Sequence, residues 1–308
     1  MTTGFKARTT LANQAQTSLD STLEKRSTSG GTSRRVLREL KHNRFATIGI
    51  VFLTLVVLLA IFAPFVTQYG PHDQDLLARL QTPSQAHWMG TDDKGRDVFT
   101  RLVYGARISL FVGIVGTVGA VVAGVVIGLI SGYYGGWVDQ LIMRILDVMY
   151  AFPGILLALL IISVLGASLW NLILALTIWG TPTLARIVRG TVLSLKNQDF
   201  IEASRAIGAN SPRIILVHLL PNSSAPIIVY ATLSVAGAIL TAAALGFLGL
   251  GVPPPTPEWG AMLSAGRQYL RIAPNLVMFP GLAIFCTLLS LNFIGDALRD
   301  ALDPHLNT

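Results

Sequence analysis

The sequence predicts an all-α polytopic membrane protein with six transmembrane helices and both termini on the cytoplasmic side. Three observations carry this. Of the 308 residues, 52% are hydrophobic and only 13% are charged, against roughly 25% charged in soluble domains, and a soluble core cannot absorb that much apolar surface. Uncharged runs long enough to cross a hydrocarbon core of ~30 Å recur along the chain. Basic residues gather beside the first run and again around residues 186–213, marking the cytoplasmic side by the positive-inside rule.

Residues 1–33, rich in Ser, Thr, Gln and Gly, read as a disordered cytoplasmic tail, too long and polar for the first part of a cleaved signal peptide. An N-terminal region, 34–106, follows. Arg34, Arg35, Arg38, Lys41 and Arg44 crowd the edge of Phe45–Val66, a first span without a charge. Residues 67–107 have balanced charge and read as external. Within them Asp97 is placed to cap a short interfacial helix carrying Val98, Leu102 and Val103, whereas the spacing of Asp92, Asp93 and Asp97 does not fit a calcium loop.

Ile108–Tyr134 is the second span. Gly116, Ala120, Gly124 and Gly128 repeat every four residues along it, a face that admits another helix closely. That helix could belong to the same chain or to another subunit, and the same face could line a pathway. Past Gly132, Gly135 and Gly136, the stretch Val148–Ala185 carries no charge. As a single helix it would run about 57 Å, so it must fold back. Gly166-Ala167-Ser168 is the predicted turn, with Trp170 at the interface, giving a third and a fourth span. Arg144 and Asp147, three apart, are expected to pair, and Pro153 and Pro182 to mark bends.

The fifth span is expected at Ile227–Leu250, with Ser234, Ala238, Thr241, Ala242 and Leu245 forming a small, mildly polar face suited equally to a substrate passage or to helix packing. GVPPPTPEWG opens an external loop, 251–271, that puts Trp259 at the membrane surface. Ile272–Gly295 is the sixth span, and Asp296, Arg299, Asp300 and Asp303 make a cytoplasmic tail.

Little in the sequence points to catalysis. The histidines at 42, 72, 87, 218 and 305 have no metal-ligand spacing, and the one cysteine, Cys286, sits in an apolar run. None of the five lysines closes a G-x-x-x-x-G-K-[ST] phosphate loop, and neither a nucleophile elbow nor H-E-x-x-H occurs. No catalytic residue and no metal site is therefore assigned. The net charge of +7 is concentrated beside a span, which reads as orientation in the lipid bilayer and not as nucleic-acid binding. An ion-coupled secondary transporter would call for ionisable residues deep in the membrane, and no span carries one near its centre.

Between the fourth and fifth spans lies a polar hairpin, Asp199 to Pro221. Asp199 and Glu202 have capping-box spacing, Phe200, Ala203, Ser204 and Ile207 recur at helical spacing, and Gly208 ends the short helix. Ser211 and Pro212 are expected to start a second helix that Pro221 limits. On this grammar alone the hairpin is a well-capped connector.

The hairpin resembles the EAA loop of bacterial ABC importer permeases: Glu202-Ala203-Ser204, three residues, Gly208, nine residues, then His218-Leu219-Leu220-Pro221. Ser204 stands where the family has Ala, and His218, where many relatives are apolar, is usual in the peptide branch. GTDDKGRDVFTRLVYGARISL at 90–110 and GFLGLGVPPPTPEWGAML at 246–263 look like the C-type subunit of dipeptide/oligopeptide permeases, and the resemblance spans about residues 35–306.

The resemblance implies a type I ABC importer permease fold in the bacterial cytoplasmic membrane, with residues 107–308 as a transmembrane domain of five helices. The loop at 199–221 would be a coupling helix docking on a separate ATPase through Glu202, Ala203, Ser204, Ala206, Ile207, Gly208, His218 and Pro221. It further implies a heterodimer with a B-type permease, two ATPase subunits that hold ATP and Mg, and an extracytoplasmic binding protein that delivers a peptide. This chain would hold no cofactor. Nickel complexes, glutathione or another small solute are alternative cargoes on the same architecture. An ion-coupled secondary transporter and a non-transporting membrane anchor are the readings from other classes.

Overall fold

The computed structural model describes residues 40 and 42–302 of the chain. The tail at 1–33, the basic residues 34, 35, 38 and 41, and Asp303 lie outside the described residues. Helix α1, Arg44–Ile61, is capped by Asn43, whose side chain accepts from the N–H groups of Phe45 and Ala46. After a one-turn helix, Ala63–Val66, and an irregular segment, α2 runs from Val98 to Tyr134. The chain continues as α3 (Gly136–Tyr150), α4 (Gly154–Leu165) and α5 (Leu169–Leu195). It then forms α6 (Asp199–Ala206), α7 (Ser224–Phe247), α8 (Trp259–Gly266) and α9 (Asn275–Leu302).

Five of these helices, α1, α2, α5, α7 and α9, are long and apolar enough to cross a membrane, and α3 with α4 makes a sixth if the bent pair is one span. Their packing order is set by small residues. The ridge on α2 meets α5, where Leu176, Gly180, Leu184, Val188 and Val192 recur at the same four-residue interval. A β-carbon on Gly116, Gly124 or Gly128 would stand 3.0, 2.8 or 2.7 Å from the β-carbons of Leu176, Leu184 and Val188, and one on Gly180 would stand 2.9 Å from that of Ala120. The ridge thus packs inside the chain, with no room for larger side chains. On its other sides α2 receives Ile239 of α7 against Gly113, α7 meets α9 at Gly295, and α1 lies on α9 with Gly49 over the Ser290 backbone.

The opposite end from the polar hairpin is tied together by side-chain hydrogen bonds to backbone carbonyls and by a buried carboxylate. Trp259 is 1% exposed and its indole N–H donates to the Leu102 carbonyl at 3.0 Å. Arg107 donates to Ile61 O at 2.9 Å, and Asn275 to Met89 O at 2.8 Å. Glu258 caps α8, accepting from the N–H groups of Gly260 and Ala261 at 2.8 Å each and from the Ser109 hydroxyl at 3.3 Å. Burial pushes its carboxyl above the usual glutamate range, with those three donors pulling the other way.

Several sequence expectations are corrected. The expected interfacial helix and second span are one helix of 37 residues, about 55 Å long, because Asp97 caps it through the Thr100 N–H at 2.7 Å and Gly105, set against Trp259, does not break it. Trp259 is buried instead of lying at the membrane surface, since α8 folds residues 259–266 of the expected loop back onto α2 and α7. Asp147 pairs with Arg186 and not with Arg144. Pro153 does mark a break, with α3 and α4 at 88°, whereas Pro182 sits inside an unbroken α5. The turn at Gly166 to Ser168 is where it was expected, with Ser168 capping α5 through the Asn171 N–H at 3.1 Å.

Two measurements test this account. Gly128→Ala should lower the thermal stability of the solubilised protein by about 1–3 kcal/mol through overpacking. Gly190→Ala, a position whose β-carbon would meet nothing within 4 Å, should be neutral or gain up to ~1 kcal/mol. A carboxyl with a raised folded-state pKa binds its proton more tightly in the folded than in the unfolded chain. Stability should therefore fall as pH rises from the ordinary glutamate range through the raised value. Glu258→Gln should flatten that slope in a pH series of melting curves.

Candidate functional site

The polar hairpin is held from beneath by a small apolar core. Ile201 on α6, and Ile214 and Leu219 beyond the turn, are fully buried and join Val188 and Val192 of α5 and Leu129 of α2. Gln198 stands at the N-cap of α6 without a side-chain hydrogen bond, and Asp199 and Glu202 are inside its first turn. The expected capping box is therefore not formed, and the two carboxylates act on the helix through its dipole. Gly208, at φ +83°, reverses the chain, with its N–H on Arg205 O at 2.9 Å and the next N–H on Ser204 O at 3.0 Å.

Asn210, not Ser211, caps the return helix, its side chain accepting from the Arg213 N–H at 3.1 Å. That helix does not stop at Pro221. A wide π turn, Ile214–Leu219, shifts the hydrogen-bond register just before the proline, whose ring would clash with the carbonyl four residues back. The chain then enters α7 after Ser223.

Inward and outward faces of the hairpin differ in chemistry. Ser204 is buried and its hydroxyl lies 2.7 Å from Phe200 O and 3.3 Å from His218 Nε2. The Phe200 ring stands edge-on to His218. Tyr133 ties the hairpin to α2, donating to Ser211 Oγ at 3.2 Å and lying under Arg205. Outward point Glu202, Ala203, Ala206, Gly208 and Ile207, the last 86% exposed.

A cavity of about 350 Å³ lies at mid-height between α2, α5, α7 and the bend joining α3 to α4. Thr117 and Ala120, Tyr150 and Phe152, Trp179 and Thr183, and Tyr230, Ser234 and Ala238 line it. Among the described residues no carboxylate, Lys, Arg or His does. The Thr117 hydroxyl is buried there without a hydrogen-bond partner among the described residues. Just outside, Arg186 donates to Asp147 at 2.5 Å, and Arg189 grips both Asp139 oxygens at 2.6 and 2.5 Å. Among the described residues no group of three or more His, Cys, Asp or Glu is placed to hold a metal ion.

Residues 124–308 match the family model for the binding-protein-dependent transport system inner membrane component, and residues 32–83 match the N-terminal transmembrane domain of oligopeptide transport permease C. A dipeptide transport system permease protein of Alkalihalophilus pseudofirmus is 52% identical over 89% of this chain and 90% of its own. The chain belongs to this family of ABC importer permeases.

Glutathione transport system permease proteins are also similar, at 44% identity in Pectobacterium atrosepticum (89% of this chain, 90% of theirs) and 46% in Escherichia coli (87% and 89%). In fold, the permease resembles the inward-facing MetNI methionine ABC transporter in two crystal forms. Each has a TM-score of 0.54 at 23% identity, and the match covers 66% of this chain and 96% of the other in one form, 67% and 97% in the second. The chain is thus a polytopic inner-membrane permease subunit.

Within the permease, the residues expected at the coupling surface divide. Glu202, Ala203, Ala206, Ile207 and Gly208 share the exposed tip, Ser204 and His218 brace it from inside, and exposed Pro221 lies further along the return helix. Of the expected packing or pathway residues, Ala120, Ser234 and Ala238 line the cavity. Gly116, Gly124 and Gly128 are sealed in the α2–α5 seam, and the Thr241 hydroxyl is bonded within its own helix to Gly237 O at 2.9 Å. Tyr150, Trp179 and Tyr230 were not singled out by sequence reasoning. Only Tyr150 has a signal in the sequence, Pro153, which marks the bend that brings it to the cavity.

Proposed function

We propose that this permease forms half of the membrane passage of an ATP-driven peptide importer and takes its energy from a separate ATPase that docks on α6. The observation that carries the proposal is the two-faced hairpin. Ile201, Ile214, Leu219 and the Ser204–His218 contact hold it to the helices α2 and α5, while an almost fully exposed Ile207 and the small residues Ala203, Ala206 and Gly208 leave its tip open to close approach. An apolar residue so placed at the end of a cytoplasmic helix suits insertion into a groove of a partner. Exposed Glu202 is available to a basic group there.

In this reading the spans number six, with α3 and α4 as one, and both ends of the chain face the cytoplasm. Residues 34–106 form the N-terminal region, with α1 and the external segment, and residues 107–308 the transmembrane domain. The passage runs through the cavity, completed by a B-type permease as the second half. Two ATPases bind ATP and Mg on the hairpin side, and a binding protein delivers cargo to the Trp259 side. The two permeases alternate between inward and outward states as ATP and loaded binding protein bias the pair.

Di- or oligopeptides are the proposed cargo, on the likeness to a dipeptide permease and on a cavity without charged lining and with scattered hydroxyl and indole groups, which suits peptide amides. Glutathione is the second reading, on the likeness to glutathione permeases.

Liposomes bearing the four-subunit complex and the binding protein should take up dipeptide only with ATP inside the ATPase-facing compartment, and transport by this chain without ATPases would overturn the proposal. Ile207→Asp should cut co-purification of the ATPase about tenfold or more, equivalent to ~1.4 kcal/mol or above, with the permease still in the membrane. Gly208→Val, which forces a β-branched residue into φ +83°, should keep ATP hydrolysis while reducing uptake. Normal coupled uptake by both variants would remove the docking role.

A further inference from the structure

The third span is broken where it passes the cavity. Helix α4 has 12 residues, about 18 Å, too short to cross a bilayer core, and α3 leaves it at 88°. The corner, residues 151–153, is pressed inward, because a β-carbon on Gly154 would stand 1.9 Å from the Trp179 indole nitrogen. It therefore carries Tyr150 and Phe152 to the cavity wall.

Tyr150 is fixed there by α5 in two ways. Its hydroxyl hydrogen-bonds to that of Thr183, and the Arg186 guanidinium lies over its ring, 4.0 Å from the centroid. Arg186 is itself oriented by Asp147, one turn before Tyr150 on α3. The second clasp, Asp139 to Arg189, holds the other end of α3.

Apart from these clasps and a hydrogen bond from Ser131 of α2 to Asp139, α3 packs little against the rest of the chain. Leu146 is its only buried residue, and Trp137, Leu141, Ile145 and Val148 are all more than half exposed. It begins at two glycines of positive φ, Gly135 at +65° as N-cap and Gly136 at +56° as first helical residue, and ends at the proline corner. A helix with a pivot at each end and ion pairs in place of a core can be released without unpacking the α2–α5 body, since partly exposed charges exchange their partners for water at small cost.

We propose that Tyr150 is the gate residue of the cavity and that Arg186, set by Asp147, is the positioning residue that keeps it shut. This rests on the reading of the cavity as the passage. When α3 swings, the Asp147–Arg186–Tyr150 stack separates and the ring leaves the wall, opening the cavity to the side where the hairpin lies.

The test uses the full complex in nanodiscs and in proteoliposomes. Hydrogen exchange of the wild-type complex, nucleotide-free against ATP–vanadate-trapped, should show amides at Ala151 and Phe152 differing by about tenfold or more between the states, with those of the α2–α5 seam unchanged. Equal protection at the corner overturns the gate. Tyr150→Ala, Arg186→Ala and Asp147→Asn should raise ATP-independent leak of a small neutral solute. Tyr150→Phe, which loses the bond to Thr183 but keeps the ring under Arg186, should leak less than Tyr150→Ala and more than wild type, and Asp147→Arg combined with Arg186→Asp, which re-forms the α3–α5 ion pair without returning a guanidinium from α5 to the ring, should leak less than either charge reversal alone. Assembled Tyr150→Ala complexes that remain as tight as wild type also overturn it. If the wild-type complex shows no ATP-driven uptake, the importer reading fails, and the leak and exchange results decide the gate separately.

Discussion

The permease depends first on the close approach of α2 and α5. Helices in lipid gain nothing from exchanging tail contacts for side-chain contacts, so their association rests on how near the backbones can come. Gly116, Gly124, Gly128 and Gly132 on one side meet Leu176, Leu184, Val188 and Val192 on the other, and Ala120 meets Gly180. The seam gives α7 and α9 a fixed surface, closes the apolar core under the hairpin, and leaves the cavity as a gap above its middle.

Against that rigid pair, α3 stands as the opposite kind of contact. It is joined to α5 by charged groups and to its neighbours by two glycines and a proline. Packing of the first kind fixes one arrangement, and clasps of the second kind permit two. The hairpin belongs to the rigid part: Ile201, Ile214 and Leu219 share a core with Leu129, Val188 and Val192, so under the proposed docking a push on α6 would be passed to the α2–α5 body. Under that proposal, motion of the body relative to α3 would be the simplest way for the push to reach the cavity.

Much of this was legible in the residues. The ridge, the Asp97 cap, the fold-back at Gly166 and the end of the hairpin helix at Gly208 are local features, each set by the side chain or backbone freedom of one or two positions. The capping choices at the hairpin were less legible, because Gln198 and Asn210 were each one residue away from an equally plausible cap. Asp147 looked like a partner for Arg144 from spacing alone, yet Arg186, thirty-nine residues on, took it once α3 and α5 were side by side.

The sequence by itself determined that this is a membrane protein, roughly where its spans lie, and that it carries no phosphate-loop motif. Hydropathy, charge asymmetry and missing phosphate-loop residues are properties of the chain and need no partner to be read. Only the tertiary structure decided that the glycine ridge is an internal seam, that Trp259 is buried, and which residues meet at the cavity. Each of those depends on which helix faces which, and in an apolar chain many faces look alike until packing distances choose between them.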